Sequence, residues 1–107
     1  MATPFEELSA CLGLQWDEGN ADKNWQRHRV RHLECEEVFF ARPLVAAADP
    51  RHSAVELRYY VLGQTARGRR LFIACTIRDQ LIRVISARAM SPRERRVNDE
   101  TSKESAE

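Results

Sequence analysis

Apolar and polar residues alternate most regularly in the second half of the chain, where they predict three strands. Residues 55–65, 69–77 and 81–88 are rich in β-branched and aromatic side chains and alternate with period two. The residues Arg-Asp-Gln at 78–80 separate the last two runs and predict a tight turn. The three strands should form an antiparallel meander. Because both faces carry apolar residues, we expect one face to pack on helices and the other to be partly covered or used.

Helical spacing dominates the first half of the chain. Thr3 and Pro4 predict the start of a short helix in which Phe5, Leu8 and Leu12 share one face. Residues 12–16 alternate weakly and predict a first strand. Asp17 then caps a predicted helix that runs to about His28, with Ala21, Trp25 and His28 on one stripe.

A further helix is predicted from about His32 to Phe40, and Pro43 stops it. A short apolar run follows at 44–48, and then a turn at 49–53.

Ser91 and Pro92 predict the cap and the first residue of a final helix, with Glu94 in its first turn. Residues 97–107 are small, polar and acidic, without apolar periodicity, and are predicted to be disordered. The predicted order of elements is βααββββα, which indicates an α+β domain.

Composition indicates a single ordinary globular domain with an uneven distribution of charge. The chain has 107 residues, 43% of them hydrophobic, and a formal net charge of only +1. Residues 67–96, however, contain nine arginines against two acids, while residues 1–66 and 97–107 are each net acidic. This arginine-rich third is therefore predicted to bind a polyanion.

The location of the protein is predicted from what the sequence lacks. There is no apolar run long enough to span a bilayer and no secretory signal at the start, so we expect a cytoplasmic protein. Cys11, Cys35 and Cys75 form an odd set without a CxxC pair. We expect them to be reduced packing residues, and neither a disulfide framework nor a metal site is indicated.

Five motifs stand in order along the chain: QWDEGNADKNWQRHRV at 15–30, EEVFF at 36–40, DPRHS at 49–53, LGQTARGRRL at 62–71 and IRVISARAMSPRER at 82–95. Together they resemble the BrnT family of type II toxin-antitoxin toxins. The resemblance covers roughly residues 14–96. It therefore implies a toxin domain there, an N-terminal extension at 1–13 and a tail at 97–107.

The resemblance implies a compact RelE-like fold and a metal-independent endoribonuclease that needs no cofactor and inhibits translation, causing growth arrest. It also implies a ribbon-helix-helix antitoxin of the BrnA type as partner, in a heterotetramer that contacts operator DNA only through the antitoxin. The exposed sheet and the N-terminal segment are the expected contact surfaces. RNA is the implied substrate, and no membrane is involved.

Site residues are carried over from the family by position. Arg69, Arg88, His28 and Glu94 are the catalytic candidates. The RNA-binding candidates are Arg83, Arg95, Arg27, Arg51 and His52, and Asn24 also matches without an assigned role. Arg69 and Arg88 are expected at strand ends, where both would reach across the open face of the sheet and bind phosphate. His28 is the candidate general base or acid.

Structural roles remain open for these residues beside the functional ones. His28 can simply cap the end of a helix, and His52 can be a hydrogen-bonding group in a loop. Arg69 and Arg88 can be salt-bridge partners of Glu56 or Glu94. Trp16 and Trp25 are predicted to be core anchors, with RNA stacking as the alternative, and Arg93, Arg95 and Arg96 can form a solvated helix face.

The chain departs from the family pattern at three positions. Arg29 stands where the family usually has glycine, Ala89 where an acid often follows ISAR, and Asn98 where an aromatic is common. A second hypothesis therefore remains beside the ribonuclease: an attenuated homologue that acts as an antitoxin-binding or RNA-binding module.

Overall fold

The computed structural model of the chain describes residues 2–41, 44–49 and 56–105, which form four helices and one five-stranded sheet. The strands are β1 (Gly13–Gln15), β2 (Val45–Ala48), β3 (Arg58–Gln64), β4 (Arg70–Arg78) and β5 (Leu81–Ala89). The helices are α1 (Pro4–Ser9), α2 (Glu18–His28), α3 (His32–Phe40) and α4 (Pro92–Ser105). The predicted α+β class is confirmed, and the short helix α1 precedes the predicted order of elements.

The sheet has the order β1-β5-β4-β3-β2. The predicted meander of β3, β4 and β5 is confirmed, and β2 adds a fourth antiparallel strand. β1 pairs parallel to β5, so the sheet is mixed rather than purely antiparallel. Asp79 and Gln80 form the predicted tight turn, with φ of 52° and 64°, the left-handed values that a two-residue hairpin turn needs.

One face of the sheet, called here the helix face, forms the core with α3. Tyr59, Val61, Leu71 and Ile73 alternate along β3 and β4 and are buried there. The packing is tight at Gly63, because a Cβ at that position would lie 2.9 Å from Cγ1 of Val38 on α3. The opposite face, called here the open face, carries the residues between these positions.

The three cysteines are free, as predicted. Cys35 and Cys75 are buried in the core, and burial raises the pKa of each thiol to about 12. They therefore behave as small hydrophobic side chains.

Helix α2 is fastened along the edge of β5 by side chains that bond to the strand's backbone. Asn20 donates from Nδ2 to the Val84 carbonyl at 3.2 Å, and Asn24 accepts from the Ala87 amide at 3.0 Å. Both asparagines are buried, 7% and 2% exposed. They satisfy backbone groups on the part of β5 beyond its pairing with β1, which would otherwise need water or another strand.

The predicted stripe of Ala21, Trp25 and His28 is therefore not the buried face of α2. Trp25 is 38% exposed and His28 is exposed, so the prediction that Trp25 is a core anchor is wrong. The polar stripe of Asn20 and Asn24 is buried in its place, because it meets backbone groups of β5 rather than apolar side chains. Trp16 does pack against the core, as predicted.

Helix α4 begins as predicted but continues beyond the predicted end. Ser91 and Glu94 form reciprocal capping bonds, from the Glu94 amide to Ser91 Oγ at 3.2 Å and from the Ser91 amide to Glu94 Oε1 at 2.8 Å. The expected disorder from residue 97 is wrong for residues 97–105, which are helical. Arg70 holds this part of the helix through Asn98 at 3.1 Å and Asp99 at 2.7 Å.

The predicted short helix at the N-terminus is confirmed as α1, with Thr3 as its N-cap. Its Leu8 is only 4% exposed and belongs to the core cluster. Glu7 accepts a hydrogen bond from the Tyr59 hydroxyl. Helix α1 is thus packed on the same domain.

Two predicted features lie outside the described residues. They are the helix stop at Pro43 and the turn at 49–53 beyond its first residue, Asp49.

Replacing Asn24 with alanine tests the role of the buried amide. The substitution leaves the Ala87 amide buried without its acceptor, so we expect the free energy of unfolding to fall by about 2 kcal/mol. Urea denaturation measures it. The control is Gln26→Ala, an exposed position on the same helix, which should change stability by less than about 0.5 kcal/mol. Equal losses in the two variants would contradict this role.

Candidate functional site

The open face carries three rows of side chains, each running across β3, β4 and β5 in register. The Arg88 row contains Leu62, Phe72 and Arg88; the Ser86 row contains Tyr60, Ala74 and Ser86; and the Arg83 row contains Arg58, Thr76 and Arg83. Successive rows are two residues apart along β4. The open face therefore carries arginines in its two outer rows, and its central row combines the Tyr60 ring with two small side chains.

An aromatic pair supports Arg88 on this surface. The Tyr60 and Phe72 rings are stacked, with centroids 5.8 Å apart and planes 18° apart. The guanidinium carbon of Arg88 lies 4.1 Å from the Phe72 centroid, a cation–π contact. Proteins that bind single-stranded RNA stack its bases on aromatic faces and hold its phosphates with cations. The open face offers both kinds of group side by side.

Glu94 holds the guanidinium of Arg88 by two parallel hydrogen bonds. The Nη1 to Oε1 distance is 2.8 Å and the Nη2 to Oε2 distance is 2.9 Å. Arg88 also donates to the Ala89 carbonyl at 3.1 Å. Of the two structural alternatives for Arg88, the pair with Glu94 is confirmed. The side chains are 38% and 22% exposed, so the pair is accessible to a ligand.

The pair shifts the protonation of both groups toward the charged forms. The hydrogen bonds from Arg88 lower the pKa of Glu94 below its usual 4.5, and those to Glu94 raise the pKa of Arg88. At neutral pH the pair is therefore a guanidinium and a carboxylate. The first can stabilise charge on a phosphate, and the second can accept a proton.

Arg69 does not share this surface, so the expectation that it reaches over the open face is wrong. Its guanidinium donates to the carbonyls of Arg29 at 2.8 Å and His28 at 3.1 Å, and it pairs with Glu34 of α3 at 3.1 Å. The pleat explains this placement, because residues two positions apart in an extended segment point to the same face. Arg69 is two residues before Leu71, which is buried on the helix face. Arg69 caps the end of α2.

His28 lies at this end of α2, exposed, with its carbonyl held by Arg69. Arg29 follows it in the left-handed conformation, φ 54° and ψ 40°. The left-handed helix stop that glycine would supply is thus retained with arginine. No contact within the described residues brings His28 to Arg88 or Glu94.

The remaining arginine candidates are dispersed. Arg83 lies on the open face and pairs with Asp17 at 2.7 Å. Arg27 is exposed on the last turn of α2, and Arg95 is exposed on α4, where its carbonyl accepts from Arg70. Arg51 and His52 lie outside the described residues.

Asn24, which matches the family, has the structural role given above. Ala89 and Asn98 depart from the family pattern, and each has a local explanation. Asn98 is 5% exposed and accepts a hydrogen bond from Arg70. Ala89 cannot provide the carboxylate that the family often has at this position. The carboxylate that contacts Arg88 comes from Glu94 of α4.

Phe72 and Tyr60 were missed by the sequence reasoning. The signal was present, because the strand parity of Phe72 differs from that of the buried Leu71 and Ile73. Pairing Phe72 with Arg88 required the strand register, which the motif spacing alone does not give. Trp25, for which the sequence left RNA stacking as the alternative, lies on the surface, and the guanidinium carbons of Arg29 and Arg31 are each 5.2 Å from its ring centroid.

Comparison with known families adds an independent finding. Residues 16–94 match the family model described as "Ribonuclease toxin, BrnT, of type II toxin-antitoxin system". None of the curated proteins matches the chain closely enough to count as a relative. Across the described residues, no helix is both long and apolar enough to cross a membrane. The described residues also include no group of three His, Cys, Asp or Glu side chains placed to hold a metal ion.

The Arg88–Glu94 pair should make stability depend on pH. Because folding lowers the pKa of Glu94, the pair's contribution is complete above about pH 4.5 and is lost as pH falls through the folded-state pKa. Glu94→Gln keeps an acceptor for the Ser91 amide but removes the charge, and should cost about 1 kcal/mol at pH 7 and less at pH 3.

Urea denaturation of both proteins at the two pH values measures this difference. Glu100→Gln, an exposed position on the same helix, is the matched control. A cost of Glu94→Gln that is equal at the two pH values would show that the pair does not contribute through its charge.

Proposed function

The chain belongs to the BrnT family of type II toxin-antitoxin ribonuclease toxins, and we propose that it is a metal-independent endoribonuclease that inhibits translation by cleaving RNA. The observation that carries the proposal is the Arg88–Glu94 pair on the open face. Its guanidinium lies over the Phe72 ring, which is stacked with Tyr60. Single-stranded RNA would stack its bases on the aromatic faces and set a phosphate against Arg88.

Cleavage on this site uses the RNA's own 2′-hydroxyl as nucleophile. Its oxygen bonds to the neighbouring phosphorus, and the bond from phosphorus to the 5′-oxygen breaks, leaving a cyclic phosphate and a 5′-hydroxyl. Glu94 accepts the proton of the 2′-hydroxyl, and water protonates the departing 5′-oxygen. Arg88 stabilises the negative charge that develops on the phosphate oxygens.

The proposed role of Glu94 requires the phosphate to replace it as partner of Arg88. In the unbound protein the contacts to Glu94 and Ala89 engage three of the five N–H groups of Arg88. An incoming phosphate competes for them and leaves Glu94 beside the substrate as a carboxylate with restored basicity.

An antitoxin is the partner that the family implies. We propose that it is a ribbon-helix-helix protein of the BrnA type, that the complex is a heterotetramer, and that operator DNA is contacted only through the antitoxin. The basic open face is the surface that a neutralising partner has to cover to exclude RNA. Segment α1 packs on the same domain and is the second proposed contact.

A second candidate function is a module that binds RNA or antitoxin without cleavage. The observation that favours it is the same pair, because Arg88 is already neutralised by Glu94 in the unbound protein. Ala89, which replaces the acid often found after ISAR, removes one further carboxylate from this region.

Substitution of Arg88 separates the two functions. If the protein is a nuclease, Arg88→Ala should lower the rate of RNA cleavage by about 10²-fold to 10³-fold, since it removes the group that stabilises the developing charge. Arg88→Lys should restore only part of the rate, because lysine cannot form the bidentate contact. Purified protein and labelled single-stranded RNA, with EDTA present throughout, provide the measurement.

Growth after induced expression gives the cellular readout, with relief of arrest expected for Arg88→Ala. Arg93→Ala is the matched control. It removes an exposed arginine of α4 whose side chain has no described contact with Arg88 or Glu94. Circular dichroism verifies folding of each variant. Cleavage by Arg88→Ala at the rate of the parent protein would rule out the proposed role of Arg88. A parent protein that binds RNA but never cleaves it would favour the second function.

A further inference from the structure

A basic cleft lies on the open face at the opposite end from Arg88. It has a volume of about 320 Å³ and is bounded by the start of α2 and by the strands of the Arg83 row. Among its described lining residues are four cations and one carboxylate. These are Lys23, Arg58, Arg78, Arg83 and Glu56.

Two of these cations pair with carboxylates, whereas Lys23 meets a neutral group. Arg78 pairs with Glu56 at 2.9 Å, and Arg83 pairs with Asp17 at 2.7 Å. Hydrogen bonds with neighbouring groups, including these arginines, lower the pKa of both acids, so both are charged at neutral pH. Lys23 donates to the neutral Ile85 carbonyl at 3.4 Å. Lys23 therefore adds a positive charge that no described ion pair compensates, and such a charge attracts anions.

The fold keeps these cations together although they repel one another. Arg58 and Arg83 flank Thr76 in one cross-strand row, and Thr76 is 1% exposed. Lys23 is brought over the edge of β5 by the same helix that Asn20 and Asn24 fasten there. The grouping is thus fixed by the sheet and α2, and an anionic ligand would relieve the repulsion.

The cleft and the Arg88 row lie on one continuous surface. From Phe72 to Thr76 along β4 the chain advances four residues, which is about 14 Å in a strand. The Ser86 row between them contributes the ring of Tyr60 and the small side chains of Ala74 and Ser86. A few nucleotides of extended single-stranded RNA can bridge this distance.

We propose that the cleft is a second phosphate subsite, which binds the RNA backbone a few nucleotides away from the phosphate at Arg88. This inference rests on the proposed function, since it assigns the remote part of the same substrate. Arg78 and Lys23 supply the binding charge, and Arg83 and Arg58 form the floor of the subsite. The subsite gives the protein a minimum length of substrate and a preference for strands that reach both ends of the face.

The test measures RNA affinity separately from cleavage. Fluorescence anisotropy with fully 2′-O-methylated oligonucleotides of increasing length reports binding alone, because the attacking hydroxyl is absent. Arg78→Gln and Lys23→Gln should each weaken binding several-fold, only for strands long enough to span the face. Each should also reduce the slope of log affinity against log salt by about 0.7, the value for one phosphate contact of a single strand.

Arg67→Gln is the matched control, because it removes one exposed arginine from the turn between β3 and β4, away from the open face. Its affinity and salt slope should equal those of the parent protein. Circular dichroism establishes that the variants are folded, and the two cleft variants act on different elements, so a local defect in one does not mimic the other.

The outcomes distinguish failure of the proposed subsite from failure of the proposed function. Cleft variants that match Arg67→Gln at every length would overturn the subsite, and the proposed function would stand if the parent protein still cleaves unmodified RNA. Loss of affinity that is equal for the shortest and the longest strands would also overturn it. A parent protein that neither binds nor cleaves RNA would overturn both proposals.

Discussion

The antiparallel pairing of β4 with β5 determines which arginines of the basic third share a surface. A two-residue turn at Asp79 and Gln80 sets the register next to the turn. A one-residue shift farther along the two strands then brings Arg88 opposite Phe72, and the pleat sends alternate residues to opposite faces. Arg88 and Phe72 meet on the open face for this reason, while Arg69 is directed to the helices. A slip of one residue would exchange the two faces, so the candidate site depends on this register more than on any single contact.

Contacts away from the open face hold α2 in place. Asn20 and Asn24 fasten α2 to the free part of the β5 edge, which removes the need for another strand there. Arg69 ties the end of α2 to α3 through Glu34, and it supports the left-handed turn at Arg29. Several positions that match the family therefore have structural roles, whereas the proposed catalytic pair, Arg88 and Glu94, is at the open face.

Ion pairs on the open face hold the arginines in place before any ligand arrives. Glu94, Asp17 and Glu56 each accept from one arginine at 2.7 to 2.9 Å in their shortest contacts. Such partly exposed pairs contribute little to stability, roughly 1 kcal/mol or less each, so a phosphate can replace a carboxylate at modest cost. The same arrangement orders long side chains in advance, which would lower the entropy lost on binding the proposed RNA substrate.

The sequence by itself determined the strands, the hairpin turn, the cap of α4, the α+β class and the family, because these follow from local periodicity, turn chemistry and motif order. It also indicated the pairing of Arg88 with Glu94 as one alternative. Only the tertiary structure decided that Arg69 and Arg88 lie on opposite faces, that buried asparagines rather than Trp25 hold α2, and that residues 97–105 continue a helix. These outcomes depend on strand register and on contacts between distant segments, such as Arg70 with Asp99, and neither is encoded in local spacing.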